Sequence, residues 1–157
     1  MTTSTTPLLG PRVIALAHYA GRALLQHVLD RHGMTFEQSV TLRLATIADG
    51  PAGREQLVDG VTEALRIDAG KVHGVLDELI AARLLAPDGE AEVRITDAGR
   101  ELYATTSDET APLTARIYDG IPAEELAVAG RVLTLITERA GAELATLTRQ
   151  DLARLSP

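Results

Sequence analysis

The chemistry that this sequence offers is concentrated in one stretch, GKVHGVLDELIAARLL, which runs from Gly70 to Leu85. Lys71 is the only lysine among 157 residues, and every other permanently cationic side chain is an arginine. Its ammonium is a compact charge that suits phosphate. A cation near the start of a helix opposes the helix dipole, which favours an anionic partner at that place. Lys71 is therefore a candidate anion contact, and an ordinary solvated lysine is the alternative.

The same stretch is amphipathic. On a wheel of about 100° per residue, its apolar residues fall on one side, and Gly70, His73 and Gly74 fall on the other. Glycine inside a helix costs about 0.5–1 kcal/mol relative to alanine. Two glycines on one exposed face indicate close approach to a base edge or a phosphate, with drift at neutral surface positions as the alternative. His73 is a second candidate contact or a plain surface residue.

A second group of polar residues lies nearer the N-terminus. His18, Tyr19 and Arg22 fall on the first predicted helix, and Arg43 falls on the second. His18 and Arg22 are four residues apart and share a helical face. An imidazole, a phenol and a guanidinium together suit a carboxylate ligand. The alternative is a set of interfacial or exposed side chains.

The sequence lacks the patterns of common enzymes. It has no cysteine nucleophile and no Gly-x-Ser-x-Gly elbow. Gly70-Lys71 is followed by valine and has no glycine five residues earlier, so it is not a phosphate loop. His27 and His32 are five residues apart and do not share a helical face. We expect no enzymatic activity, no metal site and no cofactor.

Composition and charge narrow the class of protein further. Apolar residues make up 45% and aromatic residues 3%, which predicts a helical core of Leu, Val, Ile and Ala. No signal peptide or membrane span is predicted, and we expect a cytoplasmic protein. The net charge is −7, and residues 35–96 carry six basic and eleven acidic side chains. This acidic segment argues against a general nucleic-acid-binding patch.

Periodicity predicts the elements that position these residues. Helices are expected over 8–32, from Thr35 to the Asp49-Gly50-Pro51 turn, over 54–66 and after Asp68. A hairpin follows, with strands at 84–86 and 92–95, and Thr96 caps a long helix. In the last helix the apolar residues repeat nearly as a heptad seam: Leu126, Ala129, Leu133, Ile136, Ala140, Leu144 and Leu147. This order predicts a mainly α fold with a small β-hairpin wing, a winged helix-turn-helix with long terminal helices.

Several segments resemble one family in their order and spacing. They are MTFEQSVTLRLATIADGP, REQLVDGVTEALRID, AGKVHGVLDELIAARLLA, ITDAGRELY and IPAEELAVAGRVLTLI. From about residue 10 to 148 the chain resembles the MarR family of dimeric winged-helix transcription regulators. The resemblance implies a flexible tail over 1–7, helical dimerisation regions over 8–34 and 97–157, and a winged helix-turn-helix DNA-binding lobe over 35–96. It also implies a small aromatic or anionic effector.

The resemblance assigns roles to particular residues. In a homodimer bound to double-stranded DNA at a pseudo-palindromic operator, Lys71, His73, Gly70 and Gly74 would face the major groove. Arg94 would contact DNA from the wing, and Arg54 from the start of the third helix. The sequence departs from the family at Gly74 and Glu78, where basic or neutral residues are common, and its wing PDGEAEVRIT lacks the Asp-Arg-Arg tip. The leading hypothesis is a ligand-responsive repressor, and the alternative is a protein-interaction module that has lost DNA binding.

Overall fold

The computed structural model describes residues 8–155, so the expected flexible tail over 1–7 lies outside the described residues. Six helices and three strands lie within that range. They are α1 (Pro11–Asp30), α2 (Phe36–Ile47), β1 (Ala52–Gly53), α3 (Arg54–Leu65), α4 (Ala69–Ala81), β2 (Leu85–Asp88), β3 (Glu92–Ile95), α5 (Asp97–Tyr118) and α6 (Ala123–Leu155). The structure confirms the predicted mainly α fold with a small β-hairpin wing, which we define as β2, β3 and the turn between them.

Three helices begin at side chains that the sequence marks as caps. The capping box of α2 is complete, because the Gln38 amide donates to Thr35 Oγ1 and the Thr35 amide donates to Gln38 Oε1, both at 3.1 Å. Asp68 Oδ1 accepts from the Gly70 amide at 2.8 Å at the start of α4. Thr96 Oγ1 accepts from the Gly99 amide at 3.0 Å at the start of α5. Each cap satisfies an amide that has no partner inside its helix.

The sheet is antiparallel and has the order β1-β3-β2. Strand β2 starts one residue later than predicted and continues through Pro87 and Asp88, which is possible because an edge strand tolerates proline. Strand β1 was not predicted, since two residues carry no periodicity. It fixes the beginning of α3, where the Arg54 amide donates to Ala91 O at 2.8 Å.

The described chain falls into two compact units, and the boundary between them follows Thr114, inside α5. The first unit contains the core that holds α2, α3, α4 and the wing together. Fully buried side chains at its centre are Leu29, Leu42, Val58, Val61, Val72, Leu76, Leu79 and Leu85. These are the Leu and Val side chains that the composition predicted for the core.

Gly99 explains the most distinctive segment of the sequence, ITDAGRELY. It is buried in the first turn of α5, and a Cβ at this position would overlap the backbone oxygen of Leu84 and lie 2.9 Å from Ile95 Cγ1. The start of α5 therefore packs directly on the backbone that leaves α4. Only glycine permits this approach.

The second unit consists mainly of α6, a helix of 33 residues, which corresponds to about 50 Å. None of its described side chains is buried. Leucines of the predicted seam stay accessible, with Leu144 50% and Leu147 55% exposed. None of the helices within 8–155 combines the length and apolarity needed to cross a membrane.

Candidate nucleic-acid interface

The outward face of α4 is arranged as its periodicity predicts. Val72, Leu76 and Leu79 are fully buried against the core, whereas Gly70 and Gly74 are exposed. The outward face of the first two turns of α4 is therefore accessible, and the backbone is exposed at the two glycines.

The two glycines have different local surroundings. A Cβ on Gly70 would lie 2.8 Å from Asp68 Oδ1, the atom that caps the helix, so Gly70 has a reason within the chain. A Cβ on Gly74 would meet nothing within 4 Å. No contact within the chain requires a glycine at position 74. Close approach of another molecule is therefore the interpretation that we keep for Gly74, and not for Gly70.

Lys71 is held by a carboxylate of its own chain. Its Nζ lies 3.3 Å from Oε1 of Glu37, in the first turn of α2. Arg22 reaches the same oxygen from α1, with Nη2 at 3.7 Å. The Arg22 guanidinium also lies over the Phe36 ring, 4.6 Å from its centroid, a cation–π contact. Glu37 thus receives one cation from the predicted recognition helix and one from α1.

The surroundings of Glu37 favour its charged form. A hydrogen bond from its own backbone amide lowers the pKa of its carboxyl, and the hydrogen bond and charge of Lys71 and the charge of Arg22 lower it further. Partial burial acts in the opposite direction but is outweighed. Glu37 is therefore a persistent anion beside the only lysine of the chain.

Arg54 and His73, which are also predicted to contact DNA, have acidic neighbours. Arg54 Nη2 donates to Asp77 Oδ1 at 2.7 Å, which ties the start of α3 to the outward face of α4. His73 Nε2 lies 3.6 Å from Glu55 Oε2. Both carboxylates are exposed, with side-chain accessibilities of 70% for Asp77 and 74% for Glu55.

The wing has the same character. Arg94 lies on β3, and its Nε is 3.8 Å from Asp88 Oδ2 on β2, within the wing itself. Glu90 and Glu92 lie nearby in the sequence and are exposed. A wing with one arginine among three acids attracts phosphate weakly, since affinity for DNA depends on neutralising phosphates with cations.

Four side chains that are predicted to contact DNA therefore each lie within 4 Å of a carboxylate of the same chain: Lys71, Arg54, His73 and Arg94. Within the described part of residues 35–96, three arginines are free of ion pairs: Arg43, Arg66 and Arg83. An anion that contacts Lys71, Arg54 or Arg94 therefore competes with an internal acid.

The predicted ligand residues are only partly brought together. The rings of His18 and Tyr19 are 5.7 Å apart and edge to face, and Arg22 is engaged by Glu37 and Phe36. Arg43 lies six residues beyond Glu37 along α2, which corresponds to about 9 Å of helix rise. Its side chain is exposed and joins none of the described contacts of Arg22.

A groove of about 380 Å³ lies elsewhere in the first unit, between the end of α2, β1 and the first turns of α3. Leu44, Leu57 and Gly60 form part of its apolar wall, and Gln56 supplies a polar group. None of the four predicted ligand residues lines this groove.

Sequence reasoning missed the acids that complete the site. The sequence assigns no role to Glu37 or Asp77, because no spacing connects Glu37 with Lys71, or Asp77 with Arg54. The available signal was weak: an acid in the first turn of α2, where the helix dipole favours a negative charge.

Comparison of the chain with known proteins identifies its fold through solved structures. No protein-family model and no curated protein matches the sequence. Among solved structures, a MarR-family transcriptional regulator from Rhodococcus sp. RHA1 is 18% identical, with a TM-score of 0.69 over 80% of this chain and 91% of that chain. BpsR from Bordetella bronchiseptica, solved to explain regulation of its DNA binding by 6-hydroxynicotinic acid, is 23% identical, with a TM-score of 0.66 over 83% and 94%.

A mutant of MarR from E. coli complexed with operator DNA is similar as well. It is 18% identical, with a TM-score of 0.66 over 80% of this chain and 91% of that chain. At this level of identity the likeness establishes the fold. The chain has the winged-helix fold of the MarR-family transcription regulators.

Proposed function

We propose that this protein is a DNA-binding transcription regulator that acts as a homodimer on a pseudo-palindromic operator and releases it when a small anionic effector binds. The observation that carries the proposal is the outward face of α4. It holds the only lysine of the chain and an exposed glycine with open space above it, at the position that reads the major groove in helix-turn-helix proteins.

The homodimer is inferred from apolar surface that the described chain leaves uncovered. On α6, Leu144 and Leu147 are at least half exposed, and on α1, Leu16 and Tyr19 are 58% and 64% exposed. Soluble proteins rarely expose contiguous apolar surface of this kind unless another molecule covers it. A seam with nearly heptad spacing suits a second copy of the same helix.

The effector is inferred from the cations of α1 and α2. Arg22 offers a guanidinium beside an aromatic ring, and His18 and Tyr19 lie one turn earlier on the same helix. The similar protein from Bordetella is regulated by 6-hydroxynicotinic acid, an aromatic acid. A ligand of that class would complement a guanidinium electrostatically. Arg43 is the second cation that could reach such a ligand.

One observation favours a different function. Lys71, Arg54 and Arg94 are each paired with an acid of the same chain, and residues 35–96 carry a net charge of −5. A winged helix of this charge that had lost DNA would serve as a protein-interaction module. The two candidates differ in one measurable property, which is sequence-selective binding to DNA.

Fluorescence anisotropy with labelled DNA separates them. The protein is titrated against its own upstream DNA and a scrambled duplex of equal length, at low and at moderate salt. Selective binding, weakened by Lys71→Ala with a salt slope smaller by about one, supports the regulator. Lys71→Arg is the matched control, because it keeps the charge and should keep the slope. Equal binding to both duplexes, or none at low salt, supports the interaction module.

A further inference from the structure

Glu37 connects the proposed DNA-contacting residue Lys71 with the proposed ligand-binding residue Arg22. It is only 18% exposed, and its Oε1 is shared by Lys71 of the predicted recognition helix and Arg22 of α1. Both cations are more accessible than the acid between them, at 58% and 45%. The carboxylate is therefore the more enclosed group, and the Lys71 ammonium remains accessible to an external anion.

Lys71 has a single charge to give. Its ammonium lies 3.3 Å from Glu37 Oε1, and a phosphate that binds the ammonium either displaces it from Glu37 or shares it with Glu37. The two anions compete for the same group, so the stronger the hold of Glu37, the weaker the gain from contacting DNA. We propose that Glu37 is an internal competitor of DNA phosphate for Lys71, and that Arg22 sets the strength of this competition. This inference rests on the proposed DNA-binding function.

Arg22 determines the sign of the coupling. While Arg22 Nη2 is 3.7 Å from Oε1, it neutralises part of the charge that Lys71 experiences. An anion that draws Arg22 away leaves Oε1 to Lys71 alone, which strengthens the internal pair and weakens the contact with DNA. A carboxylate ligand bound at Arg22 would thus lower DNA affinity without touching α4. The two alternative partners of Lys71 supply the bistable element that such coupling requires.

A double-mutant cycle tests the competition. Exposed ion pairs contribute about 0.2–1 kcal/mol, so Glu37→Gln should raise affinity for the upstream DNA by about 1.4- to fivefold. In a Lys71→Gln background, the same change should have little effect. Arg22→Gln should lower affinity by about twofold, and this loss should disappear when Glu37 is also replaced. Glu63→Gln, an exposed acid of α3 without a described partner, is the control for simple charge repulsion.

The outcomes separate the two proposals. An equal gain from Glu37→Gln with and without Lys71 means that Glu37 only repels DNA, and this overturns the competition. If the wild-type protein does not bind DNA, binding by Glu37→Gln but not by Glu63→Gln supports the competition. If neither the wild-type protein nor Glu37→Gln binds DNA, both the DNA-binding function and the competition are overturned.

A second readout needs no DNA. Because the chain has one lysine, protein labelled with ¹³C-lysine gives one set of lysine side-chain signals. Glu37→Gln should shift the ε-methylene signal of Lys71, and Glu63→Gln should leave it in place. An ε-methylene signal that is unchanged by Glu37→Gln shows that the internal pair is absent in solution, and the inference fails whatever the DNA result.

Discussion

We expect the replacement of Gly74 by alanine to raise the stability of the fold and to lower its affinity for DNA. The position lies inside α4, is exposed, and has no atom within 4 Å of an added Cβ. Alanine in a helix interior is favoured over glycine by about 0.5–1 kcal/mol. For a domain of this size, 1 kcal/mol corresponds to a Tm change of about 2–4 °C. Gly74→Ala should therefore raise Tm by a few degrees.

The effect on DNA should have the opposite sign. If the backbone at Gly74 lies against a base edge, the extra methyl is an overpacking substitution that costs about 1–3 kcal/mol, and each 1.4 kcal/mol is about tenfold in affinity. Anisotropy against the upstream duplex measures the loss, and calorimetry measures the stability gain. Gly130→Ala on α6, also with open space around it, is the matched control and should stabilise without weakening DNA binding. A stabilised Gly74→Ala protein with unchanged DNA affinity refutes the close approach.

Three further predictions concern the fold and its assembly. Gly99→Ala should cost about 1–3 kcal/mol, because its Cβ meets the Leu84 backbone; an unchanged urea midpoint would contradict that packing. The lowered pKa of Glu37 means that its contribution to stability is present above about pH 4.5 and is lost as pH falls through the folded-state pKa. The wild-type protein should therefore lose urea resistance faster than Glu37→Gln between pH 5 and about pH 3, and parallel curves would remove the effect. If α6 forms the proposed dimer seam, Leu144→Glu with Leu147→Glu should leave a monomer in sedimentation, whereas Arg149→Glu on the opposite face should not.

The parts of this fold that sequence predicts are those that depend on nearby residues. The caps at Thr35, Asp68 and Thr96 are local hydrogen bonds, so spacing is enough to find them. The buried face of α4 follows from its period alone. Strand β1 escaped prediction because its pairing with β3 joins residues about forty positions apart in the sequence.

The cations of the candidate site could be named from the sequence, whereas the acids that pair with them could not. Lys71 stands out by composition, and Arg54 and Arg94 by their places in the family resemblance. Glu37 lies 34 residues from Lys71, and only the packing of α2 on α4 brings them together. Gly70 shows that the sequence can also suggest a DNA contact where a local reason exists. A Cβ at this position would crowd the nearby Asp68 carboxylate, so glycine is needed there without any contact with DNA.

The bare surface of α6 has a consequence for how long the protein survives in a cell. An isolated helix is marginally stable in water unless its apolar side is packed, and none of its described side chains is buried within the chain. Proteases act on segments in proportion to the time they spend open. If a second copy of the chain covers the seam, as proposed, that open fraction falls as the protein concentration rises, by mass action. Copy number and lifetime would then rise together, so a scarce protein of this design would be cleared faster than an abundant one.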